Sequence, residues 1–146
     1  MNERKQLSKR EQILDAARRV VQQQGVHQLT LDAVAAEAGV SKGGLLYHFA
    51  SKEALIAAML AHFLDTFDAE VQEVYATAPE QRGRWLRAYV HVSFRSADYH
   101  PSFIAAVLAA VASHPLLLAA LQEQYRQWQQ HAMEDGVSLQ TTLLVM

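Results

Sequence analysis

Apolar positions recur along this chain every three or four residues, the spacing of a helix with one buried face. Nowhere do β-branched residues alternate with polar ones over the length of a strand. The pattern opens at Ser8, an N-cap type with Glu11 three residues on, which predicts a capping box. Ile13, Leu14, Ala17, Val20 and Val21 form the apolar face of the first helix, and Gln22-Gln23-Gln24 run to a stop at Gly25. Thr30 predicts the N-cap of a second, short helix, with Asp32 in the first turn where the helix dipole favours an acid. Leu31, Val34, Ala35 and Ala38 are expected to face inward, and Gly39 to end it. Ser41 caps a third short helix through about Phe49. Ser51 caps a fourth, from Lys52 to about Ala76, carried by Leu55, Met59, Phe63, Phe67 and Val74.

Beyond the break at Ala78-Pro79 a fifth helix is expected from about Glu80 to Tyr99, with Trp85, Leu86, Tyr89, Val90 and Phe94. His100-Pro101 separates it from a sixth, Ser102 to Ala112, so dense in Ala, Val, Ile and Leu that it should be buried nearly all round. After Ser113-His114, Pro115 suits the first turn of a seventh helix, which continues through Leu121, Tyr125 and Trp128 to about Met133. Asp135-Gly136 stops that helix, and Ser138 caps one more stretch toward Met146. The fold class is therefore all-α.

Composition narrows the function. The 146 residues are 51% hydrophobic and 19% charged, as in an ordinary globular protein. With no cysteine there is no disulfide, thiolate nucleophile or Cys-ligated zinc. No apolar run reaches the ~18 residues of a membrane span, and the polar start Met1–Gln6 is unlike a signal peptide, so a cytoplasmic protein with no membrane partner is expected. The net charge of -2 hides an asymmetry: residues 1–55 carry eight basic against six acidic side chains, the rest five against nine. A basic end on an acidic body suits a protein that meets a polyanion with one end.

Thr30 to Lys52, TLDAVAAEAGVSKGGLLYHFASK, has the parts of a helix-turn-helix. Close crossing of two helices needs a small residue inside the first, and Ala35 supplies it; the turn needs a residue tolerant of positive φ, and Gly39 supplies that. Val40 and Leu45 anchor the second helix. Its N-terminal amides, with the Ser41 hydroxyl and the Lys42 ammonium, suit a phosphate. Gly43 and Gly44 cost about 1 kcal/mol each relative to Ala, which makes sense if the backbone must approach DNA closely. Tyr47 and His48 follow on the outer side and Lys52 adds a cation to the same edge. Taken singly, the glycines also fit a plain turn, Tyr47 a core aromatic and His48 a structural histidine.

The segment Ser41-Lys42-Gly43-Gly44-Leu45-Leu46-Tyr47-His48-Phe49, followed by Ser51-Lys52-Glu53-Ala54-Leu55, resembles the TetR family of transcription regulators. The resemblance is strong over about residues 9–56 and rests on helix order over 57–138. It implies a three-helix DNA-binding head, residues 1–52, and a helical effector-binding and dimerisation body, residues 53–146. Carried over by position, Thr30, Ser41, Tyr47, His48 and Lys52 would contact phosphates of double-stranded operator DNA, with Lys42, Gly43 and Gly44 nearest the base edges. With glycine at 44, side-chain readout is expected to be thin and shape readout to carry more. Family members continue through two long C-terminal helices that pair with a second subunit. Thr141–Met146 looks like the opening of the first, so the body is expected to lack its last helices: either the chain is a piece, or its homodimer is built differently.

In the body, Met59, His62, Phe63, Trp85, Tyr89, Phe94, Phe103, Tyr125 and Trp128 are the candidate liners of a site for a small hydrophobic effector, with Met133 nearby and His91, Arg87 and Gln124 as further polar liners. The same stripe also reads as plain core. Neither His62 with Asp65 nor Asp98 with His100 makes a metal-ligand set, and no nucleophile–base arrangement appears. No metal, no cofactor and no enzyme activity are expected. Three readings remain: a ligand-released repressor, a helix-turn-helix protein with a packed body and no effector, and a helical interaction protein that has lost operator binding.

Overall fold

The computed structural model describes residues 7–96, 111 and 115–145. Its elements are α1 (Lys9–Gln24), a 3-10 turn (Val26–Gln28), α2 (Leu31–Ala38), α3 (Lys42–His48), α4 (Lys52–Thr77), α5 (Arg84–Ser96), α6 (Pro115–Glu134) and α7 (Leu139–Val145). No strand occurs among the described residues. The expected helix at Ser102–Ala112 lies outside them except for Val111, which is helical and buried. The chain forms two compact units, which divide within α4 between His62 and Phe63.

In the first unit the local signals act as the residue types dictate. The Ser8 hydroxyl accepts from the Glu11 amide at 3.2 Å, and the Glu11 carboxylate accepts from the Ser8 amide at 2.7 Å, a closed capping box. Ile13, Leu14, Ala16, Ala17, Val20 and Val21 are buried on one face of α1. Val34 and Ala35 are buried on α2, while Leu31 and Ala38, expected inside, are only half-buried. Leu31 and Ala38 share that face but are the first and last residues of the helix, farthest from Val34 and Ala35 at its centre. Across α1 and α2, Arg19 is shared between Asp15 and Glu37, with 2.6 Å from its Nε to Glu37 Oε1. Partial burial lifts the Asp15 carboxyl, but Arg18 and Arg19 outweigh it and hold it below its usual value.

In the second unit the N-terminus of α5 is fixed by residues about fifty positions away. Asp135, in the turn after α6, accepts from the Trp85 amide through Oδ2 at 2.6 Å, and its carbonyl accepts from the Gly83 amide at 3.1 Å. Arg82 Nε donates to the Gly136 carbonyl at 2.5 Å. Gly83 has φ +74 and would bring a Cβ within 3.3 Å of Val137, so the site is built for glycine. This corrects the expected start of the fifth helix from about Glu80 to Arg84: residues before Gly83 cannot continue a right-handed helix through its left-handed backbone. Arg84 closes the neighbouring helix end, stacking over Tyr75 at 4.5 Å and donating to the Ala76 carbonyl of α4 at 3.1 Å.

Three aromatic rings tie α4, α5 and α6 together. Phe67, Tyr89 and Trp128 meet pairwise with centroids 5.1 to 5.4 Å apart, and the Trp128 indole donates to Asp68 at 3.1 Å. Trp85 stacks on Tyr89 and on His131, each at 5.6 Å. Ring pairs of this kind add about 0.5–1.5 kcal/mol beyond the area they bury. At the end of α6, Ser138 caps α7 by accepting from the Thr141 amide at 3.2 Å. Thr142 is fully buried, its hydroxyl donating to the Ser138 carbonyl at 3.1 Å.

Two outcomes are expected. Asp135→Ala removes the cap of α5 and should cost about 1 kcal/mol, read as a lowered urea midpoint, with Asp135→Asn closer to wild type because it keeps an oxygen acceptor. Burial, reinforced by the neighbouring Tyr125, pushes the Tyr89 phenol up to about 12, against about 10 for an unfolded tyrosine. The folded state favours the neutral phenol, so this stabilisation is complete below about pH 10 and is lost as the pH rises through about 12. The melting temperature of the wild type should therefore fall more steeply across that window than that of Tyr89→Phe.

Candidate nucleic-acid interface

The turn between α2 and α3 is set by Gly39, at φ 64 and ψ 35. Its left-handed backbone costs a residue with a side chain about 1–2 kcal/mol and lets the Val40 amide return to the Ala35 carbonyl at 3.0 Å. The two helices that flank it are both capped by hydroxyls. Thr30 accepts from the Ala33 amide at 3.1 Å, and Ser41 from the Gly44 amide at 3.0 Å. Each hydroxyl keeps its proton to donate outward.

Helix α3 has one buried residue, Leu45, which is fully enclosed. Phe49 follows it into the core, with the Arg10 guanidinium over its ring at 5.3 Å. Leu46 is exposed, and Tyr47 is 87% exposed. The Tyr47 ring meets the half-buried His48 edge to face at 5.2 Å, so each ring limits the other's rotamers. Ser41, Lys42, Gly43 and Gly44 are exposed, and Lys52, half-buried, opens α4 just past Phe49.

The glycines at 43 and 44 have no positive φ. A Cβ at 43 would meet nothing within 4 Å, and one at 44 would crowd the capping Ser41 hydroxyl at 3.2 Å. The fold thus gives a packing reason for glycine at 44 and none at 43. Lys42 reaches back to Asp32 of α2, its Nζ 2.9 Å from Oδ1 and 3.1 Å from Oδ2. The sequence marks Asp32 only as a first-turn acid; its partner lies ten residues on, across the turn, where no helical periodicity connects them. The surface can donate hydrogen bonds from Thr30, Ser41, Tyr47 and Lys52 and from a lysine shared with a carboxylate, chemistry suited to phosphate oxygens.

The candidate effector residues that are described divide between the two units. Met59 and His62 fall in the first unit, Met59 buried and His62 exposed. In the second, Trp85, Tyr89 and Trp128 are buried against one another, and Phe63 and Tyr125 are half-buried. Phe94 is 77% exposed and Met133 is exposed, so neither joins the aromatic core. His91 is exposed and Gln124 half-buried. Arg87 is exposed too, its guanidinium bound to the carbonyls of Arg82 and Gln81 at 2.8 and 3.3 Å. Phe103, with Asp98 and His100, lies outside the described residues. Beside the Trp85–His131 stack is a cavity of about 250 Å³ lined by Gln72, Tyr75, Glu134 and Asp135 with those two rings. No helix among the described residues is long and apolar enough to cross a membrane.

A three-helix head with a short exposed helix after a glycine turn defines the helix-turn-helix class. Residues 13–59 match the family model of bacterial regulatory proteins of the tetR family, and residues 83–146 match the tetracyclin repressor-like C-terminal domain. The chain belongs to the TetR family. It is 29% identical over 134 residues to the HTH-type transcriptional repressor KstR2 of Rhodococcus jostii (strain RHA1), covering 88% of this chain and 65% of that protein. It is 35% identical over 103 residues to the HTH-type transcriptional regulator BetI of Rhizobium meliloti (strain 1021), covering 69% and 49%. The chain thus spans about half of one of these relatives and just under two thirds of the other. The fold is shared with the fatty acid degradation regulator FadR of Bacillus halodurans, at a TM-score of 0.75 and 20% identity over 91% of this chain and 70% of that one.

Proposed function

We propose that this chain is a sequence-specific DNA-binding transcription regulator, a repressor that works as a homodimer on double-stranded operator DNA and is released by a small hydrophobic effector. The observation that carries the DNA-binding part is the two-sidedness of α3, which buries Leu45 completely and leaves Ser41, Lys42, Tyr47 and the two glycines open to solvent. In this reading Thr30, Ser41, Tyr47, His48 and Lys52 hold phosphates and set the register, while Lys42 and the bare backbone at Gly43 and Gly44 lie nearest the base edges. Two heads related by two-fold symmetry would meet half-sites about one helical turn of DNA apart.

The effector part draws on family membership and on the aromatic second unit. An effector bound there would favour a conformation whose two heads no longer match the half-sites, and operator affinity would fall by the same factor as effector affinity falls on DNA. The protein is then a cytoplasmic binder rather than a catalyst. One observation favours a second reading, a helix-turn-helix regulator with a packed body and no effector: Phe67, Tyr89 and Trp128 pack pairwise, and Trp85 stacks on Tyr89.

Anisotropy titrations of a labelled duplex test the first part. Affinity should fall steeply with salt, and Lys52→Ala should weaken selected and mixed-sequence duplexes by a similar factor while reducing the salt slope by about 1. Tyr47→Ala should also act evenly, by about tenfold for a hydrogen bond to a charged oxygen. A change in which sequence is preferred would overturn these roles, and no salt-dependent binding by the wild type would overturn DNA binding itself. For the second part, a panel of hydrophobic compounds is screened for ligands that both raise the melting temperature and release the duplex; a panel in which none does both favours the packed body.

A further inference from the structure

Lys42, which the DNA-binding reading puts nearest the base edges, is held in the unbound protein. Its ammonium straddles both oxygens of Asp32, at 2.9 and 3.1 Å. The two side chains come from different helices and are 58% and 71% exposed. An exposed pair adds little to folding stability, so the head does not need it for its core. The other acids of α1 and α2 with known partners serve the fold: Glu11 closes the capping box of α1, and Asp15 and Glu37 are part-buried and tie α1 to α2 through Arg19. Asp32 instead places a carboxylate at the edge of a surface offered to a polyanion.

Such a placement costs affinity for every duplex. The carboxylate repels phosphates and occupies the cation that would neutralise one. Binding to arbitrary DNA is driven by phosphate neutralisation, so a lysine held in a pair lends less to non-specific binding. A site that offers Lys42 a better acceptor, such as the O6 and N7 edge of a guanine, can still draw it off the carboxylate. Resting on the DNA-binding reading above, we propose that Asp32 is a specificity-determining residue: it acts through Lys42 to suppress binding to mixed-sequence DNA, and so widens the gap between selected and arbitrary sites.

The test uses the full chain, a labelled duplex of mixed sequence, and a tight-binding duplex selected from a random pool, titrated over a series of KCl concentrations. D32N is expected to tighten the mixed-sequence complex roughly two- to fivefold, the range an exposed ion pair allows, and to steepen the salt slope by up to about 0.9. The selected duplex should gain less, so the ratio between the two narrows. In a K42A background the same change should gain nothing, the signature of coupling between the two residues. Circular dichroism melts keep loss of fold apart from loss of binding. If D32N leaves the mixed-sequence affinity unchanged, or tightens both duplexes equally, the proposal is overturned. A gain of the same size with and without Lys42 also overturns it, because Asp32 would then act on the phosphates directly. Wild-type protein that binds neither duplex would instead overturn the DNA-binding reading on which this rests.

Discussion

Helix α3 has seven residues, two of them glycine, and a helix of that length does not persist alone in water. Its place depends on the burial of Leu45. Taking one leucine out of water contributes about 2 kcal/mol, roughly what the two glycines take back at about 1 kcal/mol each. The balance is tipped by the Ser41 cap and by Phe49, which enters the core just where the helix ends. With tertiary anchors deciding whether α3 forms, its outer face is released from helix propensity. That freedom is what permits glycine at 43, where nothing in the protein asks for it.

The second unit solves the same problem at longer range. Helix α5 begins without a local cap; Asp135 provides one from the far end of α6, and Arg82 and Gly83 add two more bonds to the same turn. The start of one helix and the end of another therefore stand or fall together. The ring contacts of Phe67, Tyr89 and Trp128 then fix how α4, α5 and α6 lie side by side. Burial at this junction is also what makes the Tyr89 phenol reluctant to ionise.

What could be read from the sequence follows from the range of each interaction. The caps at Ser8, Thr30, Ser41 and Ser138 and the stops at Gly25, Gly39 and Gly136 act over three or four residues, and each stands where its local signal puts it. The hydrophobic pattern puts the start of α5 four residues too early because its determinant is Asp135, invisible to any local pattern. The aromatic stripe showed that a core exists but not which rings enter it: Trp85 and Tyr89 lie four apart and are buried, whereas Phe94, a further five along, points to solvent. The candidate interface was legible as a set of residue types around a glycine turn. Its electrostatics were not, since the pairing of Asp32 with Lys42 needs the crossing angle of two helices.

That pairing bears on how a modestly basic head would distinguish one duplex from another. A surface with free lysines at every outward position binds any phosphate ladder well and gains its specificity only from base contacts. In the proposed DNA-binding reading, the side chain nearest a base edge, Lys42, is paired with an acid, and its two successors carry no side chain at all. Few direct base contacts would then remain, and discrimination would come from how closely the backbone at Gly43 and Gly44 fits a groove of given width, and from whether the duplex can draw Lys42 away. The first would depend on the shape and stiffness of the DNA, the second on whether a base edge offers the ammonium a better acceptor than Asp32.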